Sequence, residues 1–432
     1  MTPILLTLSV VVLIFVGLMI AISAGLASIV GGWMIFGDPF GDIVPKMAAR
    51  LAIDRIDNFL LLAIPFFILA GRLMNSGGVT ERLFDFVSAI FQPVRGGLGH
   101  ANVLASFLFA GMSGSATADV AGLGSVEMKA MRSKGYPDDF SAGITAASAL
   151  LSPCFPPSIV LIAYAVQAEQ SVATLFLAAV VPSVLLALCL MGWVFVQARR
   201  RALPVGTFPP VGELARKAVR AFLPMLTPGI ILAGIYGGVF TPTEAAAVAV
   251  VYALFLTMVV YREMGWPELL RELRGTVLDT ATLMFIIAMT SAFGVIMLRL
   301  GLPQSLASLV TTLSENPTVV MFLFLVVWGI VGCFMAQTPA IIILTPILLP
   351  IAERLGMDPI HFGIVMAMSL TMGLLTPPVG MVLYALQKVA NIRIGLLFRV
   401  AIPYVLIMTA FLCILILIPG IVTALPYALG YR

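Results

Sequence analysis

The sequence predicts an all-α polytopic membrane protein, built as an inverted repeat with two re-entrant hairpins and two proline-broken helices. Three observations carry this expectation. The first is composition: of 432 residues, 61% are apolar and 10% are charged, and the mean hydropathy is +1.11. Soluble domains run at about 45–50% apolar and about 25% charged. A water-soluble fold cannot hide so much apolar surface, which excludes soluble enzymes and nucleic-acid binders and leaves a helical bundle in lipid. The second is an internal repeat, and the third is a pair of proline doublets, Pro156-Pro157 and Pro377-Pro378, at matching places in the two copies. The net charge of +4 is too small to indicate a polyanionic partner.

A span needs about 20 apolar residues. Met1-Thr2-Pro3 carries no Lys or Arg, and the apolar run Ile4–Val30 is too long for a signal-peptide core, so a first span without a cleavable leader is expected. Further runs at or near span length are Phe59–Met74, Phe140–Val166, Val172–Gln197, Ala221–Phe240, Ala245–Tyr261, Val277–Leu298, Phe362–Leu386 and Leu396–Ile418. Val79–Val94, Ala101–Met131, Pro303–Leu313 and Thr318–Ala352 are shorter or broken by Gly and Pro. The expectation is about ten to twelve spans plus re-entrant segments. Ala198–Arg220 holds Arg199, Arg200, Arg201, Arg216, Lys217 and Arg220 against Glu213 alone, which places that loop in the cytoplasm. Arg262–Arg274, two spans later, falls on the same side. Cys154, Cys189, Cys333 and Cys413 lie in apolar runs without CxxC or His/Cys clustering, so they read as buried structural thiols, not a disulfide framework or a zinc site.

The repeat lays Gly111–Pro157 on Gly332–Pro378 without a gap. It pairs Gly111/Gly332, Thr117/Thr338, Leu123/Leu344, Gly135/Gly356, Ala146/Ala367, Ser148/Ser369, Pro156/Pro377 and Pro157/Pro378; after one deletion Tyr164 meets Tyr384 and Gln167 meets Gln387. Residues 1–220 then form the first copy, with a hairpin around 101–132 and a broken helix over 140–168. Residues 221–432 form the second, with a hairpin around 318–355 and a broken helix over 360–390. Basic residues bracket the first hairpin (Arg95, Lys129, Arg132, Lys134) but follow the second proline pair (Lys388, Arg393, Arg399), so the copies face opposite ways. Inverted repeats with broken helices are the signature of secondary transporters, whose substrate site lies near the bilayer midplane.

Candidate ligand or ion residues fall at the interruptions. The first hairpin tip is small and polar (Ser113, Gly114, Ser115, Thr117, Asp119), and non-helical backbone at membrane depth is tolerated only where it lines a cavity. Hydroxyls and freed carbonyls suit a small cation, and a half-helix N-terminus suits an anion; small-residue packing between helices is the alternative. Asp119 is costly at this depth, by roughly 2.5–3.5 kcal/mol, and cation coordination, proton coupling and a structural hydrogen bond all stand open for it. Ser152, Pro156 and Pro157, and Thr376, Pro377, Pro378 and Gly380, interrupt two apolar spans. Proline expels carbonyls from the helical ladder, which gives either a bare kink or oxygens for an ion. Gln337 and Thr338 occupy the place of Ala116 and Thr117 and are expected to close the site from the other side. Thr241-Pro242-Thr243-Glu244 reads as a helix N-cap, His100 and His361 as interfacial or hydrogen-bonded, and the 23 methionines as core and lipid-facing filler.

Longer motifs carry a family resemblance. Phe59-Leu-Leu-Leu-Ala-Ile-Pro65-Phe-Phe-Ile-Leu-Ala-Gly71, Ser113-Gly-Ser115, Lys134-Gly-Tyr136 and Pro156-Pro157-Ser158 belong to it, as do Leu232-Ala-Gly-Ile-Tyr-Gly-Gly-Val-Phe-Thr-Pro-Thr-Glu244 and Pro346-Ile-Leu-Leu-Pro350. The last are Gly356-Met-Asp-Pro-Ile-His-Phe-Gly363 and Thr376-Pro-Pro-Val-Gly380. Together they resemble the large membrane subunit of TRAP (tripartite ATP-independent periplasmic, DctM-type) transporters over nearly the whole chain. The resemblance implies a Na⁺-coupled importer of organic acids in a bacterial or archaeal cytoplasmic membrane, working by an elevator motion, with Na⁺ as coupling ion and no other cofactor. It implies a small four-helix membrane subunit as scaffold, here expected as a separate polypeptide, and a periplasmic binding protein that delivers the substrate. By the family pattern Na⁺ is held at Ser113, Gly114, Ser115, Pro156, Gln337, Thr338 and Thr376-Pro377-Pro378. The chain departs from that pattern at Val126-Glu127, where Ile-Pro is common, at Ala336, near which an acidic residue is frequent, and at Ser369, where Asn is frequent.

A stand-alone Na⁺- or H⁺-coupled anion symporter is the competing transport reading. An intramembrane hydrolase would need a nucleophile–base pair or two carboxylates at membrane depth. Asp119 has no obvious carboxylate partner in the sequence and neither histidine sits mid-span, so no enzyme is expected.

Overall fold

The computed structural model describes residues 2–37 and 43–431, and its regular structure among these is entirely helical. Met1, the first of the charge-free leading residues, lies outside them. The chain runs through α1 (Thr2–Phe15), α2 (Ile20–Phe36), α3 (Ile43–Ile56), α4 (Ala63–Ser76) and α5 (Val79–Phe91). Next come α6 (Gly97–Ser113) and α7 (Ala116–Ser133), then α8 (Asp138–Ser148) and α9 (Ile159–Ala168), and the long α10 (Val172–Arg200). The second half begins with α11 (Val211–Tyr236), α12 (Pro242–Leu254), α13 (Trp266–Arg299) and α14 (Leu302–Leu313). It continues with α15 (Pro317–Phe334), α16 (Gln337–Arg354), α17 (Pro359–Gly373), α18 (Met381–Ala390), α19 (Ile394–Leu417) and α20 (Gly420–Ala428).

Seven helices among the described residues are long and apolar enough to cross a membrane, fewer than the about ten to twelve spans read from apolar length. Glycine and proline account for the difference, because they cut long apolar runs into shorter helices. Ile4–Val30, expected as one span, is two helices. α1 stops at Phe15, Gly17 takes φ +99°, a conformation open mainly to glycine, and α2 starts at Ile20. The run Phe140–Val166 divides into α8 and α9 around Ser152–Ser158, and Phe362–Leu386 divides into α17 and α18 around Leu374–Gly380. The stretch Ala245–Tyr261 is α12 continued by a π-helical turn over Phe255–Val260. Thr241 caps α12 in a reciprocal box: Glu244 N–H donates to the Thr241 hydroxyl (3.3 Å) and Thr241 N–H to the Glu244 carboxylate (2.8 Å).

Helix starts in the two halves recur near the repeat's spacing, with the best agreement at α7 and α16. α7 and α16 each span 18 residues, and their first residues are Ala116 and Gln337. α9 and α18 each span 10 residues and open the second piece of a divided helix. The halves also interlock by exchange: α7 packs on α18, and α16 packs on α9. Arg132, in the last turn of α7, donates to the Ala390 carbonyl at the end of α18 (2.8 Å), and Tyr164 of α9 donates to the Pro359 carbonyl (2.6 Å). α9 and α17 lie in the protein's interior: every residue from Ile360 to Gly373 is buried, as are all of Ile159–Ala168 but Gln167. The long helices surround it and turn apolar side chains such as Leu188, Val219, Leu278 and Leu406 outward, as a lipid-facing surface does.

The basic segment Ala198–Arg220 joins the end of α10 to the start of α11 through a connection over residues 201–210; in it Arg201 pairs with Asp139 of α8 (2.5 Å), Lys217 with Glu213 (2.9 Å), and the Arg199 guanidinium lies over the Phe195 ring. Arg199 and Lys217 reach back along their own helices, as long cationic side chains do. The four cysteines carry no disulfide, but they are not all buried: Cys189 is exposed on α10 and Cys413 half-buried, because an apolar residue of a membrane helix packs equally well against lipid.

Candidate functional site

The first helix pair turns on two residues. Gly114 ends α6 in the left-handed conformation (φ +61°), which needs no Cβ. Ser115 then caps α7, accepting from Ala118 N–H at 3.5 Å, with its hydroxyl 3.2 Å from that of Thr117. The tip is held from two sides. A Cβ on Gly114 would lie 3.0 Å from the Pro157 carbonyl oxygen, and one on Gly71 of α4 would lie 3.1 Å from Ser113 Cα. The second pair turns at Met335 and Ala336, both extended, and α16 starts without a side-chain cap. Gln337 is fixed instead by Thr371 of α17, whose hydroxyl donates to its amide oxygen at 2.9 Å.

Both divided helices restart with a local device. Ser158 caps α9 through Leu161 N–H (3.3 Å) and donates to the Pro153 carbonyl (2.5 Å). Across the second break, Val382 N–H reaches the Leu374 carbonyl (3.2 Å), Gly380 takes φ +57°, and the Thr376 hydroxyl donates to the Met372 carbonyl (3.1 Å). The Pro156–Pro157 and Pro377–Pro378 peptide bonds are both cis.

The two tips meet in one cavity of about 740 Å³. Ser113, Gly114, Ser115 and Thr117 contribute from one side and Gln337 and Thr338 from the other; Ile159, Leu374 and Met381, at the edges of the two breaks, complete this part of the wall. The donors here are neutral oxygens, a set that suits a hard monovalent cation such as Na⁺ better than a soft transition metal. Pro156, Pro157, Thr376, Pro377, Pro378 and Gly380 lie in the breaks behind this wall and do not line it. Asp119 and Ser152 are set apart as well: both are buried, and the Ser152 hydroxyl donates to the Asp119 carboxylate at 3.1 Å.

Behind the first tip lies a polar network that sequence reasoning missed. Glu127, two turns beyond Asp119 on α7, is also buried, so α7 carries two buried carboxylates about 12 Å apart along the helix. Asn102 of α6 donates to Glu127 (2.8 Å) and contacts Thr145 (2.7 Å), Ser148 donates to Asn102 (2.6 Å), and Ser106 donates to Ser148 (3.2 Å). One oxygen each of Asp119 and Glu127 lacks a hydrogen-bond partner. Membership in an apolar-flanked helix at spacing i, i+8 was the available signal. The opposite wall of the cavity was missed too. It comes from α4 and α13 and includes Arg72, Asn75, Ser76, Glu272 and Asp279. Arg72 and Asp279 each stand as a charge inside a run read as a span, the pattern that marks functional positions in membranes.

Comparison with known proteins accounts for this architecture. Residues 7–421 match the family model described as the tripartite ATP-independent periplasmic transporter, DctM component. The sialic acid TRAP transporter large permease protein SiaM of Vibrio cholerae is 41% identical over 89% of this chain and 91% of its own. The C4-dicarboxylate TRAP transporter large permease protein DctM of Pseudomonas aeruginosa is 43% identical over 90% of this chain and 91% of its own. Among solved structures, the Alcanivorax borkumensis YdaH transporter shares the fold at a TM-score of 0.62 and 15% identity, covering 88% of this chain and 90% of that one. A family match over nearly the full length, with transporter permeases and not enzymes as relatives, fixes the assignment: the chain belongs to the TRAP transporter family as a DctM-type large permease subunit.

Proposed function

We propose that this subunit imports an organic acid across a bacterial or archaeal inner membrane by Na⁺-coupled secondary transport. A small four-helix subunit serves as its membrane scaffold, and a periplasmic binding protein presents the substrate. The observation that carries the reading is the single cavity shared by the two tips, Ser113–Thr117 and Gln337–Thr338. The helix pairs α6–α7 and α15–α16 act as re-entrant hairpins, one in each of two inverted repeats, residues 1–220 and 221–432. With the two divided helices they form one interlocked body that slides against the long helices, which is what an elevator motion requires. Na⁺ at Ser113, Ser115 and Pro156, and at Thr338 and Thr376, draws the tips together and prepares the cavity for a carboxylate. Substrate must then tighten Na⁺ binding by the factor by which Na⁺ tightens substrate.

Uptake by proteoliposomes that hold this chain, its small subunit and the binding protein tests the reading. Ser115→Ala and Thr376→Ala are expected to raise the half-saturating Na⁺ concentration about three- to tenfold, the loss of one charge–dipole contact, with expression and insertion unchanged. Uptake that persists without a Na⁺ gradient removes the coupling, and wild-type Na⁺ dependence in both variants removes the ligand assignment.

A further inference from the structure

The wall of the tip cavity facing the hairpins is electrically unusual. Among its described lining residues Arg72 is the one cation, and it is engaged by two carboxylates of α13. Its Nη1 donates to Glu272 Oε2 (3.2 Å), while Nε (3.2 Å) and Nη2 (2.6 Å) both donate to the same oxygen of Asp279, Oδ2. The two acids are not equivalent. The Glu272 side chain is 11% exposed and also accepts from the Ser76 hydroxyl (2.8 Å), whereas the Asp279 side chain is 50% exposed. Gly275 lies between them on α13 and makes the seat: a Cβ there would stand 2.4 Å from Arg72 Nη1 and 2.8 Å from its Cζ. The guanidinium therefore lies across bare helix backbone, anchored on its buried side by Glu272 and covered on its open side by Asp279.

We propose that Arg72 receives the substrate carboxylate and that Asp279 is its built-in competitor, displaced when an organic acid enters. The inference rests on the transport reading above and names the residue that reads the substrate. Glu272 is offset in part by Arg271, whose Nε lies 3.7 Å from Glu272 Oε1, so the charge an acid anion meets at the open face is Arg72 screened by Asp279, and the anion gains the guanidinium only by taking the place of Asp279. Asp279 uses a single oxygen toward Nε and Nη2; a free carboxylate can offer one oxygen to each, the forked geometry in which guanidinium–carboxylate pairs are strongest. The exchange leaves the Glu272 anchor in place. Asp279 keeps the guanidinium oriented when no substrate is bound and sets a threshold that a neutral molecule cannot pass.

If the ion pair were only a staple between α4 and α13, damage to either end would act in the same direction. A receptor with a competitor requires opposite directions. Equilibrium binding of radiolabelled succinate, N-acetylneuraminate, D-gluconate and 2-oxobutyrate is measured on the full chain in lipid nanodiscs with NaCl present. For the acids that wild type binds, Asp279→Asn is expected to tighten binding about threefold or more, and Arg72→Gln to weaken it about tenfold or more. Arg72→Lys, which keeps charge but not the fork, falls between wild type and Arg72→Gln. Gly275→Ala, which pushes the guanidinium off its seat without straining the backbone, weakens binding in protein whose thermal unfolding midpoint matches wild type. Weakening by Asp279→Asn and Arg72→Gln alike, or no change in either, overturns the assignment while the transport reading stands. Wild type that binds none of the four acids overturns the transport reading itself.

Discussion

The segments α6–α9 and α15–α18 each run as a helix pair followed by a divided helix, and their side chains fill that order differently. In the first, α6 is joined to α7 and α8 by buried polar side chains, from Asn102 and Ser106 to Glu127, Thr145 and Ser148. At the repeat-related positions the second has Ala340 for Asp119, Leu348 for Glu127, Met366 for Thr145 and Gly373 for Ser152. Ser369 keeps the hydroxyl of Ser148 but turns it back on its own helix, to the Val365 carbonyl at 2.6 Å. In place of hydrogen bonds, α15 and α17 touch backbone to backbone at Gly332 and Gly373, and Phe362 meets the rings of Phe324 and Trp328 edge to face. The difference teaches that the fold does not need the polar network. A buried carboxylate costs free energy that apolar packing would not, so the network in the first half is there for something other than holding the chain path.

The comparison breaks most sharply if the chemistry of one half is moved into the other. Ala340→Asp places a carboxylate in the buried interior of α16, where the second half offers no counterpart of Ser152, and is expected to cost about 3–5 kcal/mol, the scale for an uncompensated buried charge. The reverse exchange, Asp119→Ala, strands only the Ser152 hydroxyl and costs about 1–3 kcal/mol. Thermal unfolding of the two purified variants against wild type measures both. Equal losses would mean that the halves are chemically equivalent after all.

Gly373→Ala comes next. Its Cβ would lie 2.3 Å from the Gly332 carbonyl carbon, and backbone cannot swing aside as a side chain can, so a destabilisation of about 1–3 kcal/mol is expected. Gly395→Ala in α19, where a Cβ meets nothing within 4 Å, is the control and should be neutral or slightly stabilising. The first half has no such backbone contact at the matching site: a Cβ on Gly111 would meet the Pro228 ring of α11 at 2.5 Å instead.

Legibility in the sequence followed the range of the interaction. Apolar content identified an all-helical membrane chain, and motif spacing identified its family. The interruptions at Pro156-Pro157 and Pro377-Pro378 were readable because proline acts on its own backbone and glycine at its own φ. Gly17 was harder, since a lone glycine in an apolar run is usually tolerated within the helix. What the sequence could not supply is contact between distant residues. Arg72 and Asp279 are 207 positions apart, and Asn102 and Thr145 are 43 apart. Glu127 was passed over as a departure from a family pattern because its partners lie on two other helices.

The smallest expected effect separates the tips themselves. α7 starts under a serine, while α16 starts at Ala336, whose extended backbone (φ −61°, ψ 148°) already has the geometry of a helix cap but whose methyl group accepts nothing. Ala336→Ser supplies the missing acceptor for the first free N–H groups of α16 and should stabilise the protein by about 0.5–1 kcal/mol. Ala336 also lines the cavity, so the same hydroxyl adds an oxygen on the side that now has the fewer. Comparing unfolding midpoints in NaCl and in choline chloride divides the two contributions. A gain of equal size in both salts is capping alone. A larger gain in NaCl means that the second tip reaches Na⁺, and that the first half's richer chemistry at the cavity is a matter of degree and not of kind.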